Sequence, residues 1–162
     1  MMGLLPRARV FIDAAQSADA ETLVDIHSDA FVRAWSAEDF TALMNGGNVF
    51  ALGLRRESIF GMRRLLGFVL VRTAADEAEI LTIAVSRASR GKGHGRLLME
   101  EAMRRLYREH VAACFLEVDR GNEPAIGLYR SLGFEDVGQR KGYYRKGVDP
   151  EGSALVMRLQ LR

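Results

Sequence analysis

The sequence predicts one mixed α/β domain, on three observations. Strand-like runs and amphipathic helical stretches follow one another in the order β-α-α-β-β-β-α-β-α-β-β. Near the centre, between Glu79 and Leu106, an apolar strand (EILTIAVSR) feeds a glycine-spaced basic turn (ASRGKGHGR) and then a helix (LLMEEAMRRL). No linker, repeat or low-complexity stretch interrupts the 162 residues, a length that suits a single domain (1–162) with its own core.

In chain order, Arg9 to Ala14 is a short apolar run that suits a first strand. Ser17 or Asp19 caps a helix through Phe31, with Leu23, Ile26, His27 and Ala30 on one face, so His27 reads as a packing residue. Ser36 followed by Asp39 is a capping-box start, and Asn45-Gly46-Gly47 ends that helix. Trp35 thus falls between two short helices, where it either closes the turn or walls a substrate site. Asn48 to Arg55 and Leu65 to Thr73 predict an antiparallel pair joined by RESIFGMRR, with Arg55, Arg56, Arg63 and Arg64 solvated around the loop. The strand Glu79 to Val85 is nearly continuously apolar, which predicts burial on both faces.

The helix Arg96 to His110 directs Leu98, Ala102 and Leu106 to a core, with Met99 and Met103 beside them. Ala113 to Val118 (ACFLEV) is a second buried strand, and Cys114 is one of its packing residues. Glu117 stands out there, because an ionised carboxylate in an apolar strand is costly without a partner or a task. Asn122-Glu123-Pro124 opens a helix that runs through Tyr129 to Gly133, with proline in the first turn where its missing N–H costs nothing. Phe134 to Val137 and Ala154 to Leu161 pair as a terminal hairpin across the loop Arg140 to Gly152.

Composition narrows the function classes. Apolar residues make up 48% and charged residues 27%, an ordinary globular balance. A net charge of +2 is too small to argue for nucleic acid. One cysteine permits no internal disulfide, and three scattered histidines with it make no metal site. The start, MMGLLPRARVFIDAA, lacks the apolar run of a signal peptide, and no segment approaches bilayer length. The expectation is a cytoplasmic monomer or weak homodimer, with neither nucleic acid nor membrane as partner.

The chemistry concentrates in the central turn. Gly91, Gly93 and Gly95 remove side chains where the backbone folds tightly and bare the amides of Arg90 through Arg96. A helix starting near Gly95 adds unpaired N–H groups and the positive end of its dipole, and Arg90, Lys92 and Arg96 add full charges. Such a turn is built for a phosphorylated anion, best a pyrophosphate. It is no P-loop, since no Ser or Thr follows Lys92, and G-x-G-x-G is not the dinucleotide fingerprint.

Arg90, Gly93 and Gly95 form R-x-x-G-x-G, which closely resembles the acetyl-coenzyme A pyrophosphate loop of the GCN5-related N-acetyltransferase (GNAT) family. LEVDRGNEPAIGLYRSLGF, the early AWSAEDF and the late RKGYYRKG are similar to its bacterial ribosomal-protein alanine N-acetyltransferase branch. The likeness covers about Asp19 to Leu159. It implies a mostly antiparallel sheet with two central parallel strands splayed around the cofactor, flanked by about four helices. Backbone groups of Ile83, Ala84 and Val85 would pair with the pantetheine arm. Arg90, Gly91, Lys92, Gly93, His94, Gly95 and Arg96 would hold the diphosphate of acetyl-CoA, and Asn122 would touch it near the pantetheine. Glu117 would be the general base, with Glu79 as an alternative. Tyr129 would protonate the departing thiolate, while Trp35, Tyr143 and Tyr144 would line a peptide groove. The resemblance implies an acetyl-CoA-dependent N-acetyltransferase acting on a protein N-terminus, such as a ribosomal protein's. A small amine or an internal lysine is the alternative acceptor, and a non-catalytic coenzyme A-binding module the other reading.

Overall fold

The computed structural model describes residues 7–140 and 153–162. Its elements, in order, are β1 (Arg9–Ala14), α1 (Ala20–Ala30), α2 (Ala37–Met44), β2 (Val49–Glu57), β3 (Arg63–Ala74), β4 (Glu77–Val85), α3 (His94–Arg108), β5 (Ala113–Asp119), α4 (Glu123–Ser131), β6 (Glu135–Arg140) and β7 (Ala154–Gln160). The predicted order holds, with short 3-10 turns added at Ser17–Asp19 and Arg87–Ser89. The strands form one seven-stranded sheet in the order β1-β2-β3-β4-β5-β7-β6. β4 and β5 run parallel, while β1–β2, β5–β7 and β6–β7 are antiparallel. The mixed, mostly antiparallel sheet implied by the sequence is present.

The chain divides into two compact units, Met1–Leu70 with Ile83–Leu98 and Val71–Thr82 with Met99–Arg162. In the first, α2 starts at a full capping box: Ser36 Oγ accepts from the Asp39 amide at 3.1 Å and the Asp39 carboxylate accepts from the Ser36 amide at 2.9 Å. Leu23, Ile26, Phe40, Leu54 and Phe68 fill its core. The β2–β3 hairpin differs from the sequence reading. Its strands run further, so the tip is Ser58 to Met62 and the arginines lie on the strands. Arg55 is not solvated: only 15% exposed, it pairs with Asp13 at 2.6 Å and Asp19 at 2.9 Å. Two carboxylates contributed from β1 and the turn after it, distant in sequence, made that partnership invisible to local pattern.

β4 also departs from expectation, because burial alternates along it. Ala78, Ile80, Thr82 and Ala84 are buried, whereas Leu81, Ile83 and Val85 are only half-buried. An apolar run permits burial on both faces, but packing elsewhere decides whether both are roofed.

In the second unit Leu116 of β5 faces Met157 of β7 in register, both buried, and Met99, Ala102 and Leu106 of α3 are buried as well. The parallel ladder runs from Glu77–Ala113 to Glu79–Phe115 and, among the described residues, no further, although β5 continues to Asp119. α4 is capped by Asn122, whose side chain accepts from the Ala125 amide at 3.3 Å, and is followed by Gly133 at φ 102°.

Candidate active site

In the first unit, β4 ends at Val85 and is tied to β3 by a bond from the Ser86 amide to the Leu66 carbonyl at 2.7 Å. The chain then makes a turn in which Gly91 and Gly93 take φ of 77° and 81°, the left-handed region open to glycine. A Cβ at either position would meet nothing within 4 Å, so that side of the backbone is open. Among the described residues, the amides of Gly91, Lys92, Gly93, His94 and Gly95 donate to no protein acceptor. The Leu97 amide bonds the Gly93 carbonyl at 3.2 Å in the first turn of the helix. These open donors stand at the positive end of α3, a helix of 15 residues.

The side chains of the turn behave differently from one another. Arg90 bends back, its Nε donating to the Val85 carbonyl at 3.1 Å and Nη2 to the Asp29 carbonyl at 3.5 Å. It therefore braces the end of β4 and the end of α1 rather than pointing wholly at the open amides. Lys92 is exposed and has no partner among the described residues. His94 is the first residue of α3, its Nδ1 buried without a partner, and burial with the nearby Lys92 charge lowers its pKa.

Trp35 precedes the α2 cap and is half-buried, its ring 4.9 Å from that of His27 and 5.3 Å from that of Phe40. His27 is 2% exposed, stacks on Phe31 at 4.5 Å, and accepts at Nδ1 from the Trp35 amide at 3.4 Å. Burial drives its pKa down to about 4. The packing role expected of His27 holds, and its aromatic neighbours fix the position of Trp35.

The second unit carries the candidate acid and base. Glu117 is half-buried on β5, on the same strand face as Phe115, and pairs in register with Val156 of β7. Glu79 is held by Arg72 at 2.9 Å, both side chains 44% exposed. Tyr129 on α4 is 7% exposed, its ring 6.0 Å from that of Phe134, and its hydroxyl makes no hydrogen bond among the described residues. Burial raises its pKa to about 12, so the phenol keeps its proton at any working pH. Cys114 is fully buried and burial pushes its thiol up to about 12, so it is no thiolate nucleophile. Tyr143 and Tyr144 lie outside the described residues.

Sequence reasoning missed Gly67. A Cβ there would come within 2.9 Å of the Ala84 carbonyl oxygen and 3.3 Å of Leu98 Cδ1, so its absence sets how closely β3 supports the strand that ends at the turn. A lone glycine inside an apolar strand was the available signal.

A profile of the acetyltransferase (GNAT) family matches residues 20–134. The chain is 31% identical over 146 residues to a [ribosomal protein bS18]-alanine N-acetyltransferase of Haemophilus influenzae, covering 90% of this chain and 95% of that protein. It is 33% identical over 147 residues to the N-alpha-acetyltransferase RimI of Mycobacterium tuberculosis, covering 86% and 88%. The crystal structure of the ribosomal-protein-S18-alanine N-acetyltransferase from Escherichia coli matches with a TM-score of 0.85 at 28% identity, over 94% of each chain.

Proposed function

The chain belongs to the acetyltransferase (GNAT) family, and from that premise we propose that it moves the acetyl group of acetyl-CoA directly onto the N-terminal α-amino group of a ribosomal protein. The observation that carries this reading is the run of open amides from Gly91 to Gly95 at the head of α3. A diphosphate fits it: left-handed glycines, no Cβ neighbours, and an added charge at Lys92. The relatives' names supply the acceptor class. The same reading makes residues 1–162 one working domain and puts it in the cytoplasm, where ribosomal proteins are made.

Acetyl-CoA supplies an activated acyl thioester, and the backbone of Ile83, Ala84 and Val85 would hold its arm. Asn122, whose side-chain oxygen already caps α4, would offer its remaining amide donors. Glu117 takes the proton lost by the attacking amine. It is preferred over Glu79 because Glu79 lies where β4 and β5 still pair, whereas Glu117 lies beyond the last described pair, Glu79–Phe115. An α-amino group, with a pKa of about 7.7–8.0, needs only a weak base, whereas a lysine at about 10.4 is neutral in no more than about one part in a thousand at pH 7. Tyr129, held protonated, donates its hydroxyl proton toward sulfur as negative charge builds there. No covalent enzyme intermediate is needed, in keeping with the inert Cys114. Trp35, Tyr143 and Tyr144 would flank the acceptor peptide.

The test offers isotope-labelled acetyl-CoA with N-terminal peptides, lysine peptides and polyamines. Labelling confined to peptide α-amines supports the reading; labelling of lysine or polyamine replaces the acceptor class, and no coenzyme A binding by calorimetry removes the chemistry altogether.

A further inference from the structure

The net charge of +2 conceals an uneven distribution. At one end of the first unit, β1 begins beside the β2–β3 hairpin tip, with Arg9 opposite Glu57. Residues 7–11 and 56–64 carry Arg7, Arg9, Arg56, Arg63 and Arg64 against a single carboxylate, Glu57. Glu57 is taken by Arg9 at 2.8 Å and Arg63 at 3.8 Å. Arg56 and Arg64 are exposed and have no partner among the described residues.

Aromatic and apolar side chains stand among these charges. Phe60 is 86% exposed, with Met62 at 74% and Ile59 at 53%. They are held outward by a built turn: Ser58 Oγ accepts from the Phe60 and Met62 amides at 3.2 and 3.1 Å, and Gly61 sits at φ 81°. Beside it the guanidinium groups of Arg9 and Arg63 lie 5.0 and 5.2 Å from the centroid of the Phe11 ring. The open Phe60 ring at the tip, with unpaired arginines behind it on the strands, makes a stacking surface in a positive field.

We propose that this end of the molecule binds RNA, with unpaired bases stacked on Phe60 and backbone phosphates met by Arg56 and Arg64. The choice of RNA among polyanions rests on the exposed Phe60 ring, which offers a base a face to stack on, and on the proposed acceptor above, a ribosomal protein. An anionic bilayer fits less well. It would engage the three side chains of the turn, whereas Arg56 and Arg64 stand back from the tip on one face of the β2–β3 strands, opposite the Phe11 stack.

The test is fluorescence anisotropy with a labelled twelve-nucleotide single-stranded RNA at 50 and 150 mM salt. Binding should weaken with salt, and the double variant Arg56→Gln/Arg64→Gln should flatten the slope of log K against log salt by about 1.4, at about 0.7 for each phosphate no longer neutralised. Phe60→Ala should weaken binding about tenfold with the slope unchanged, as removal of a stack does and removal of a charge does not. Transfer to a free N-terminal peptide should be unchanged in all variants, which separates this proposal from the catalytic one. Wild-type affinity that is absent at 50 mM salt, or equal in the double variant, overturns it. So does binding to phosphatidylglycerol vesicles in place of RNA.

Discussion

A Cβ on Gly67 would lie 2.9 Å from the carbonyl oxygen of Ala84. Real Cβ atoms do not approach a backbone oxygen that closely, so β3 lacks a side chain at the point where it supports the segment proposed to hold the pantetheine arm.

Gly67→Ala should therefore act on coenzyme binding as well as stability. Overpacking costs about 1–3 kcal/mol, and displacement of Ala84 should weaken coenzyme A binding about tenfold or more. Calorimetry and urea unfolding measure the two effects. Reduced stability with coenzyme affinity intact would show that the strand recovers its position.

Tyr129→Phe should lower kcat by about 10²–10⁴ while changing coenzyme A affinity little. With the phenol pKa raised to about 12 by burial, Tyr129 should also impose no fall in rate up to about pH 10. Parallel decreases in kcat and affinity would make the residue a binding group.

Glu117→Gln should lower turnover near neutral pH by a similar factor. Its rate should then climb with pH as the α-amino group of the acceptor, with a pKa of about 7.7–8.0, sheds its proton unaided. A profile like the wild type's would transfer the base role to Glu79 or to water.

His27 should make the fold acid-sensitive. Burial lowers its folded pKa to about 4 from 6.5, so the neutral form is favoured in the native state. The associated stability is fully present above pH 6.5 and falls away as pH drops toward 4, because the unfolded chain takes up the proton first. The decrease is about 2 kcal/mol by about pH 5. Urea midpoints at about pH 7.5 and about pH 5 measure it, and His27→Phe should abolish that part of the difference.

Much of this protein was legible in the linear sequence because its signals are local. The capping box Ser36–Asp39, the proline and asparagine opening α4, and the glycine turn before α3 are each set by neighbours within a few residues. Periodicity gave the buried positions Leu98, Ala102 and Leu106 for the same reason. Partnerships across the sheet were not legible. Arg55 reads as part of a solvated tip although Asp13 and Asp19 enclose it, and the pairing of Glu79 with Arg72 joins neighbouring strands.

By itself the sequence determined the order of elements, the glycine-rich basic turn before α3 and the residue types available for acyl transfer, since backbone conformation and helix periodicity depend on nearest neighbours. Only the tertiary structure decided which charges are neutralised. It turned Arg90 back onto Val85, left Tyr129 protonated under burial, and gathered exposed arginines at one end of a chain of small net charge. Electrostatics and burial act through space, between residues that the chain brings together from tens of positions apart.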